Sequence, residues 1–316
     1  MQLLYSLEDL ALQNDTVVSI GTFDGVHRGH QHLLAQLMQR AHESARLSVV
    51  LTFYPHPRLV LHPEVRPACL STPSERAARL EELGIDMLIV QPFTLEFATT
   101  PAETLVRQLV VDLRMRELWV GADFALGRGR VGDVPALSAL GERLGYRLQV
   151  VEPLLDGGEP ISSTRIRKLI QDGEVGEAGR LLGRPYTISG PVVPGRHRGR
   201  QLGFRTANLR LNPECAYPAD GVYAVRLQVL SADGLLGAPL PGVANLGVRP
   251  SFGESDRLLE VHLFDYQRDL YAHNVRVEFV RRLRPERVFE NADALIAQIR
   301  RDTEQARAIL AGEDLP

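Results

Sequence analysis

The chain has 316 residues, 44% hydrophobic and 24% charged, with a formal net charge of −3. That length suggests about two domains, and the balance is that of a soluble globular protein with no global basic field to recruit nucleic acid. No apolar run reaches membrane-spanning length and the N-terminus has no basic start of a signal peptide; the two cysteines, Cys69 and Cys215, form no metal-like or redox pair, so a reducing cytoplasm is expected rather than a disulfide framework.

The apolar run Val17-Val18-Ser19-Ile20, ended by Gly21, predicts a buried strand. After a short glycine-containing turn, Leu33, Leu34, Leu37, Met38 and Ala41 recur at helical spacing. A strand is predicted over 48–53, a helix over 74–82 closed by Gly84, and a strand over 86–90. Helix 102–113, strand 117–120, helix 136–144 and strand 147–151 continue the alternation, which implies a parallel sheet with helices on both faces. Near Gly183-Arg184-Pro185 the rhythm changes. Strand-like segments at 186–188, 222–229, 243–246, 258–264 and 275–280 are separated by Gly- and Pro-rich turns, the pattern of an antiparallel barrel or sandwich. A long amphipathic helix over 291–311 follows, and there is no internal repeat or low-complexity tract.

Gly21-Thr22-Phe23-Asp24-Gly25-Val26-His27-Arg28-Gly29-His30 joins the first predicted strand to the first helix. In open parallel sheets, ligands bind at the carboxyl ends of strands, and a helix N-terminus there offers free amides to phosphate. His27 and His30 put two imidazole donors beside those amides, where a phosphorus centre gaining negative charge could use them. Arginine supplies all basic residues but one, Lys168, and no Gly-Lys pair occurs, so the usual lysine P-loop is absent. Phosphate chemistry here must rest on arginine, histidine, amides or a metal. Ile161-Ser162-Ser163-Thr164-Arg165-Ile166-Arg167 opens another predicted helix; its hydroxyls serve equally as N-caps or as phosphate donors beside Arg167.

The H-x-G-H stretch resembles the nucleotidylyltransferase superfamily. Class I aminoacyl-tRNA synthetases share the motif but need a later lysine-rich signature that this chain lacks. With Thr52-Phe53-Tyr54-Pro55-His56-Pro57 and Gly121-Ala122-Asp123-Phe124, the half resembles the adenylyltransferase domain of bacterial FAD synthetases. The resemblance implies a Rossmann-like domain over 1–183 in which Gly21, Thr22, Phe23, Asp24, Gly29, Ser162, Ser163, Thr164 and Arg167 hold ATP. It also implies flavin contacts from Phe53, Pro55, His56, Asp123 and Phe124, with His27 and His30 catalytic.

A second Gly- and Arg-rich stretch runs from Gly190 to Asn208, including Gly195, Gly199 and Gly203. Such loops wrap phosphates with amides and guanidinium groups, though charge runs are also ordinary solvated surface. Thr206 and Asn208 offer oxygen ligands at alternate positions, suited to magnesium. Glu260 and His262 alternate with apolar residues on one strand, making Glu260 a candidate base for a hydroxyl nucleophile or else a solvated strand glutamate. This half resembles the riboflavin kinase domain, a small β-barrel with a C-terminal helix. The resemblance implies ATP contacts from Gly190, Gly195, Gly199, Gly203, Thr206 and Asn208, Mg2+ on Thr206 and Asn208, and Glu260 as base. Arg205 stands where that family usually has proline.

The expected fold is therefore α/β: a parallel-sheet nucleotidylyltransferase-like domain over 1–183 and an antiparallel β-barrel with a long terminal helix over 184–316. The expected chemistry is phosphorylation of riboflavin to FMN and adenylylation of FMN to FAD by ATP with Mg2+, in the cytoplasm, without nucleic-acid or membrane partners. Two alternatives remain at this point: a nucleotidylyltransferase for another substrate with a degenerate second domain, and a flavin- or ATP-binding sensor without turnover.

Overall fold

A computed structural model describes residues 1–8, 10–64, 68–194, 206–231, 235–248, 257–266 and 268–312. The chain divides into two compact units, Met1–Ser163 and Thr164–Pro316.

In the first unit the order is β1 (Gln2–Leu4), β2 (Thr16–Ile20), α1 (Arg28–Glu43), β3 (Leu47–Tyr54), α2 (Pro57–Leu61), α3 (Pro73–Leu83), β4 (Met87–Pro92), α4 (Leu95–Ala98), α5 (Ala102–Asp112) and β5 (Met115–Gly121). The short pair β6 (Ala125–Leu126) and β7 (Gly132–Asp133), α6 (Val134–Leu144), β8 (Arg147–Val151) and the pair β9 (Leu155–Asp156) and β10 (Glu159–Pro160) complete it. The main sheet is parallel, ordered β1-β4-β3-β2-β5-β8. Both faces are covered, so the strands read as continuous apolar runs. Val18, Ile20, Val49, Leu51, Ile89, Leu118 and Val120 pack under α5 and α6, whereas Val17, Val50, Leu88 and Trp119 pack under α1 and α3. Leu34 and Leu37 of α1 are wholly buried, a contribution of about 1.5–3 kcal/mol each.

The helix ends follow from local chemistry. α3 starts on a capping box between Thr72 and Glu75 with Pro73 in the first turn, and stops at Gly84 in the left-handed region. α6 starts on Asp133, whose side chain accepts from Ala136 N, and stops at Gly145. Edge strand β1 went unpredicted because three residues at a sheet edge, none of them buried, carry no period.

The second unit begins inside α7 (Ser163–Asp172), followed by α8 (Val175–Leu182). The strands β11 (Tyr186–Val193), β12 (Ala207–Arg210), β13 (Gly221–Val229), β14 (Leu240–Val248), β15 (Arg257–Leu263) and β16 (Asn274–Arg284) precede α9 (Ala292–Gly312). The strands close into an antiparallel barrel, β11-β12-β15-β14-β13-β16, with β16 returning to β11. Tyr223 and Phe279 meet edge to face inside it, ring centroids 5.2 Å apart. α9 lays Ala306, Ile309 and Leu310 over Val222, Ala224 and Val243 on the outer face. Arg284 fastens it by a bidentate pair to the buried Asp302 at 2.8–3.1 Å. α7 and α8 pack with the barrel: Ala219 N donates to Ile170 O at 3.3 Å, and α8 lies against β11 and β16. The compositional change near Gly183 therefore comes later in the chain than the contact division at Ser163/Thr164.

Candidate active sites

In the first unit the chain runs from β2 through β3 to β4 on one side, then returns to place β5 on the other side of β2. That reversal opens a crevice at the carboxyl ends of β2 and β5, where open α/β sheets bind ligands. The segments 21–30 and 121–124 leave those two strand ends.

The first segment is a strained turn. Phe23 (φ 46°), Gly25 (φ 77°) and Val26 (φ 41°) all occupy the left-handed region, and a β-branched residue there is rare and costs of order 1–3 kcal/mol. Buried contacts hold it. Both Asp24 carboxylate oxygens accept from Leu70 N at 2.9 and 3.0 Å, and Oδ1 accepts from Ser71 N at 3.2 Å. Gly25 N donates to Ser71 Oγ at 3.0 Å, and Ser163 Oγ donates to Asp24 O at 3.0 Å. Asp24 thus acts on the turn's shape through amides. Thr22 O accepts from Thr52 Oγ1 at 3.2 Å.

His27 caps α1: its Nδ1 accepts from His30 N at 3.3 Å. A ring nitrogen that accepts an N–H carries no proton, so the neutral ring holds its proton on Nε2, which is a donor. His30 stacks on His27 with centroids 3.6 Å apart and 17° between planes. Burial first, then the neighbouring His27 and Arg76, hold the His30 pKa well below the usual imidazole value. Gly29 is a close-approach glycine: a Cβ there would stand 3.1 Å from both His27 Nδ1 and Ile161 O.

Phe53 and Phe124 are half-buried on the same core cluster at the ends of β3 and β5. Phe53, Phe93 and Phe97 form a triangle of rings with centroids 5.6–5.8 Å apart, an apolar surface of which the sequence pattern marked Phe53 alone. Pro55 follows a cis peptide bond, and His56 caps α2 by accepting from Arg58 N at 3.1 Å. Asp123 is exposed, and Arg130 donates to its carbonyl at 3.1 Å. Ser162 and Ser163 belong to the first unit, whereas Thr164 and Arg167 belong to the second.

In the second unit, strand register assembles a polar row. Asn208 on β12 lies opposite Glu260 on β15, and Glu260 lies opposite Asn245 on β14. Residues opposite each other share a sheet face. Val222, opposite Asn245, is on the outer face that α9 covers, so the row is on the outer face as well. Asn208 is 3% exposed, and its Oδ1 is buried without a hydrogen-bond partner among the described residues. A buried carbonyl oxygen left unpaired is costly unless a ligand fills the role. Thr206 is half-buried two residues before it. Asn245 Nδ2 donates to Glu286 Oε1 at 2.9 Å, and Gly247 leaves room for that carboxylate. Asn245 and Glu286 were missed because nothing in their spacing marks them; the register brings Asn245 opposite Glu260, and Glu286 joins through its hydrogen bond with Asn245. Gly190 allows close approach to Arg210 O, which a Cβ would meet at 2.6 Å. Gly195, Gly199, Gly203 and Arg205 lie outside the described residues.

Comparison with known proteins agrees with both halves. A family model for FAD synthetase matches residues 9–165, and one for riboflavin kinase matches 182–310. The bifunctional riboflavin kinase/FMN adenylyltransferase of Escherichia coli (strain K12) is 39% identical over 310 residues, covering 97% of each chain. The enzyme of the same name from Pseudomonas fluorescens is 38% identical over 98% of each chain. A crystal structure described as a macrolide-efflux protein from Streptococcus pneumoniae superimposes with a TM-score of 0.86 at 31% identity, covering 96% of this chain and 98% of that one. Among the described residues, no helix of this chain is long and apolar enough to cross a membrane. With both halves matched in order and relatives aligned end to end, the chain belongs to the bifunctional riboflavin kinase/FMN adenylyltransferase family.

Proposed function

We propose that the chain makes FMN from riboflavin and ATP in its C-terminal half, and FAD from FMN and a second ATP in its N-terminal half. The observation that carries this is the end-to-end family match, with the histidine turn in one unit and the Asn208/Glu260 row in the other. In the first reaction the ribityl 5′-hydroxyl attacks the γ-phosphorus of ATP, the bond to ADP breaks, and Glu260 takes the hydroxyl proton. Thr206 and Asn208 would hold Mg2+, and the buried Asn208 Oδ1 fits a hard cation. Bound there, the ion would offset phosphate charge.

In the second reaction an FMN phosphate oxygen attacks the α-phosphorus of ATP and pyrophosphate leaves. The nucleophile is already an anion and needs no base. The work left to the protein is positioning and charge stabilisation, supplied by His27 Nε2–H, His30 and the amides at the start of α1. We assign Gly21, Thr22, Phe23, Asp24, Gly29, Ser162, Ser163, Thr164 and Arg167 to ATP, and Phe53, Pro55, His56, Asp123 and Phe124 to the flavin. Cytoplasmic residence is proposed as well, supported by the absence of a paired cysteine motif in the sequence and by the demand for ATP. The direct test is incubation with riboflavin, ATP and magnesium followed by chromatography of the flavins. FMN and FAD are expected; absence of both products from riboflavin removes the kinase half of the reading, and absence of FAD from supplied FMN removes the adenylyltransferase half.

Gly29→Ala should slow FAD formation by about tenfold to a hundredfold, because its Cβ presses on the His27 ring that must be held in place. FMN formation by the same protein is expected to stay unchanged. An unaltered FAD rate would show that His27 tolerates displacement.

The division of labour we propose, adenylyl transfer in 1–183 and kinase chemistry in 184–316, has a structural refinement. Val175, Ala178, Leu181 and Leu182 of α8 are buried, and α8 packs on β11 and β16. A fragment of residues 164–316 should therefore fold and make FMN, whereas 184–316 uncovers apolar barrel surface and should melt at a lower temperature. Thermal unfolding and FMN formation of the two fragments decide it. Equal stability would show that α7 and α8 add nothing to the barrel.

A further inference from the structure

Arg76 lies in the first turns of α3, one and two helical turns before Leu80 and Leu83 on the packed face, a position from which a charged side chain ordinarily reaches out to solvent. It is instead 5% exposed. Its Nη1 donates to Thr52 Oγ1 at 3.3 Å, and its Nη2 stands 3.8 Å from Asp24 Oδ1. Its Nε is buried and has no hydrogen-bond partner among the described residues. The Asp24 carboxylate is already committed to the amides of Leu70 and Ser71, so the ion pair is loose. A guanidinium has five N–H donors and stays charged. Burying one with donors to spare is costly, and such groups call for an explanation in function.

Both contacts of Arg76 lead into the histidine turn. Thr52 continues through its hydroxyl to Thr22 O, and Asp24 is itself part of the turn. We propose that Arg76 is a positioning residue for adenylyl transfer: its buried guanidinium, tied to Asp24 and Thr52 behind the turn that carries His27 and His30, fixes that turn and supplies the cation against which phosphate charge accumulates. The proposal rests on reading the turn as the adenylyl-transfer site. Fixed charge in a buried setting acts without reorganisation when the transition state forms, the condition under which electrostatic stabilisation is greatest. The cation also bears on the histidines. His30 Nδ1 is buried and has no hydrogen-bond partner among the described residues. Burial, His27 and the Arg76 charge together disfavour its protonation. Asp24 and Cys69 are the other ionisable groups acting on Arg76. Removing the Arg76 charge removes one repulsion on the imidazolium, so the His30 pKa must rise.

The test uses full-length Arg76→Met and Arg76→Lys. FAD formation from FMN is followed against pH, FMN formation from riboflavin serves as the control for folding, and histidine titration by NMR gives a readout besides activity. Arg76→Met is expected to lower kcat for FAD formation by about tenfold to a hundredfold with KM for FMN little changed. The acid limb of its pH profile and the His30 titration should both move to higher pH. Arg76→Lys should keep most of the rate and the wild-type acid limb. Wild-type rate and profile in Arg76→Met would overturn the proposal, as would equal losses in both variants with the acid limb unmoved, which is the mark of a merely structural arginine. Should Arg76→Met not fold, Arg76→Gln is judged by the same criteria. His30→Ala that still makes FAD at full rate would instead bring down the reading of the turn, separately from Arg76.

Discussion

Glu260→Gln is expected to reduce FMN formation from riboflavin by about a hundredfold to ten-thousandfold, the usual range for loss of a general base, while FAD formation from supplied FMN continues. The substitution keeps the shape of the side chain and one accepting oxygen, but it replaces the other oxygen by a donating amide that cannot take a proton at neutral pH. Its position on β15 makes the effect specific. Glu260 has Asn208 as its neighbour on one side and Asn245 on the other, and Leu259 and Val261, which flank it in sequence, are buried. The barrel core is therefore untouched by the change, and a fall in activity cannot come from lost packing. Separate assays of the two half-reactions on one preparation check this. Near-normal riboflavin phosphorylation in the variant would remove Glu260 from the role of base. The Asn208 side chain would then be the group to examine next, since its Oδ1 is buried with no partner among the described residues.

The sequence made the architecture legible where periodicity is strong. The central strands of the first unit are covered on both faces and read as apolar runs, and the end of α3 was marked by Gly84. The motif at 21–30 was visible because its residue types are chemically distinctive and follow a strand. What could not be read is what depends on tertiary contact. Arg76 is by residue type a surface arginine, yet it is buried beside Thr52 and Asp24. The left-handed conformations of Phe23 and Val26 leave no mark in residue type, since neither is a residue that favours them. β12 is four residues following an Arg-rich stretch of sequence, too short for a period of two to register. The Asn208–Glu260–Asn245 row depends on register between strands far apart in the chain, which one sequence does not encode locally.

Replacing His27 or His30 with alanine should have the opposite selectivity: FAD formation stops and riboflavin phosphorylation goes on. Loss of one preorganised donor to a developing anion costs about a hundredfold to a thousandfold in rate. The two histidines are not equivalent, however. His27 also caps α1 by accepting from His30 N, and losing a cap costs about 1 kcal/mol of stability. His27→Ala therefore removes a donor and loosens a helix end together. His27→Asn separates the effects, because asparagine is a good capping acceptor but cannot place a donor where Nε2 stands. If the histidine acts as a transition-state donor, His27→Asn should restore the thermal stability lost in His27→Ala without restoring FAD formation. His30→Ala leaves the cap intact, because it is the His30 backbone N–H that donates, and it removes the ring stacked on His27. Its defect should lie in kcat, and any loss of thermal stability comes from the ring contacts with His27 and Phe23 rather than from the cap. A double His27→Ala/His30→Ala protein that still converts FMN to FAD at the wild-type rate would show that the strained turn serves folding alone and that adenylyl transfer takes place elsewhere.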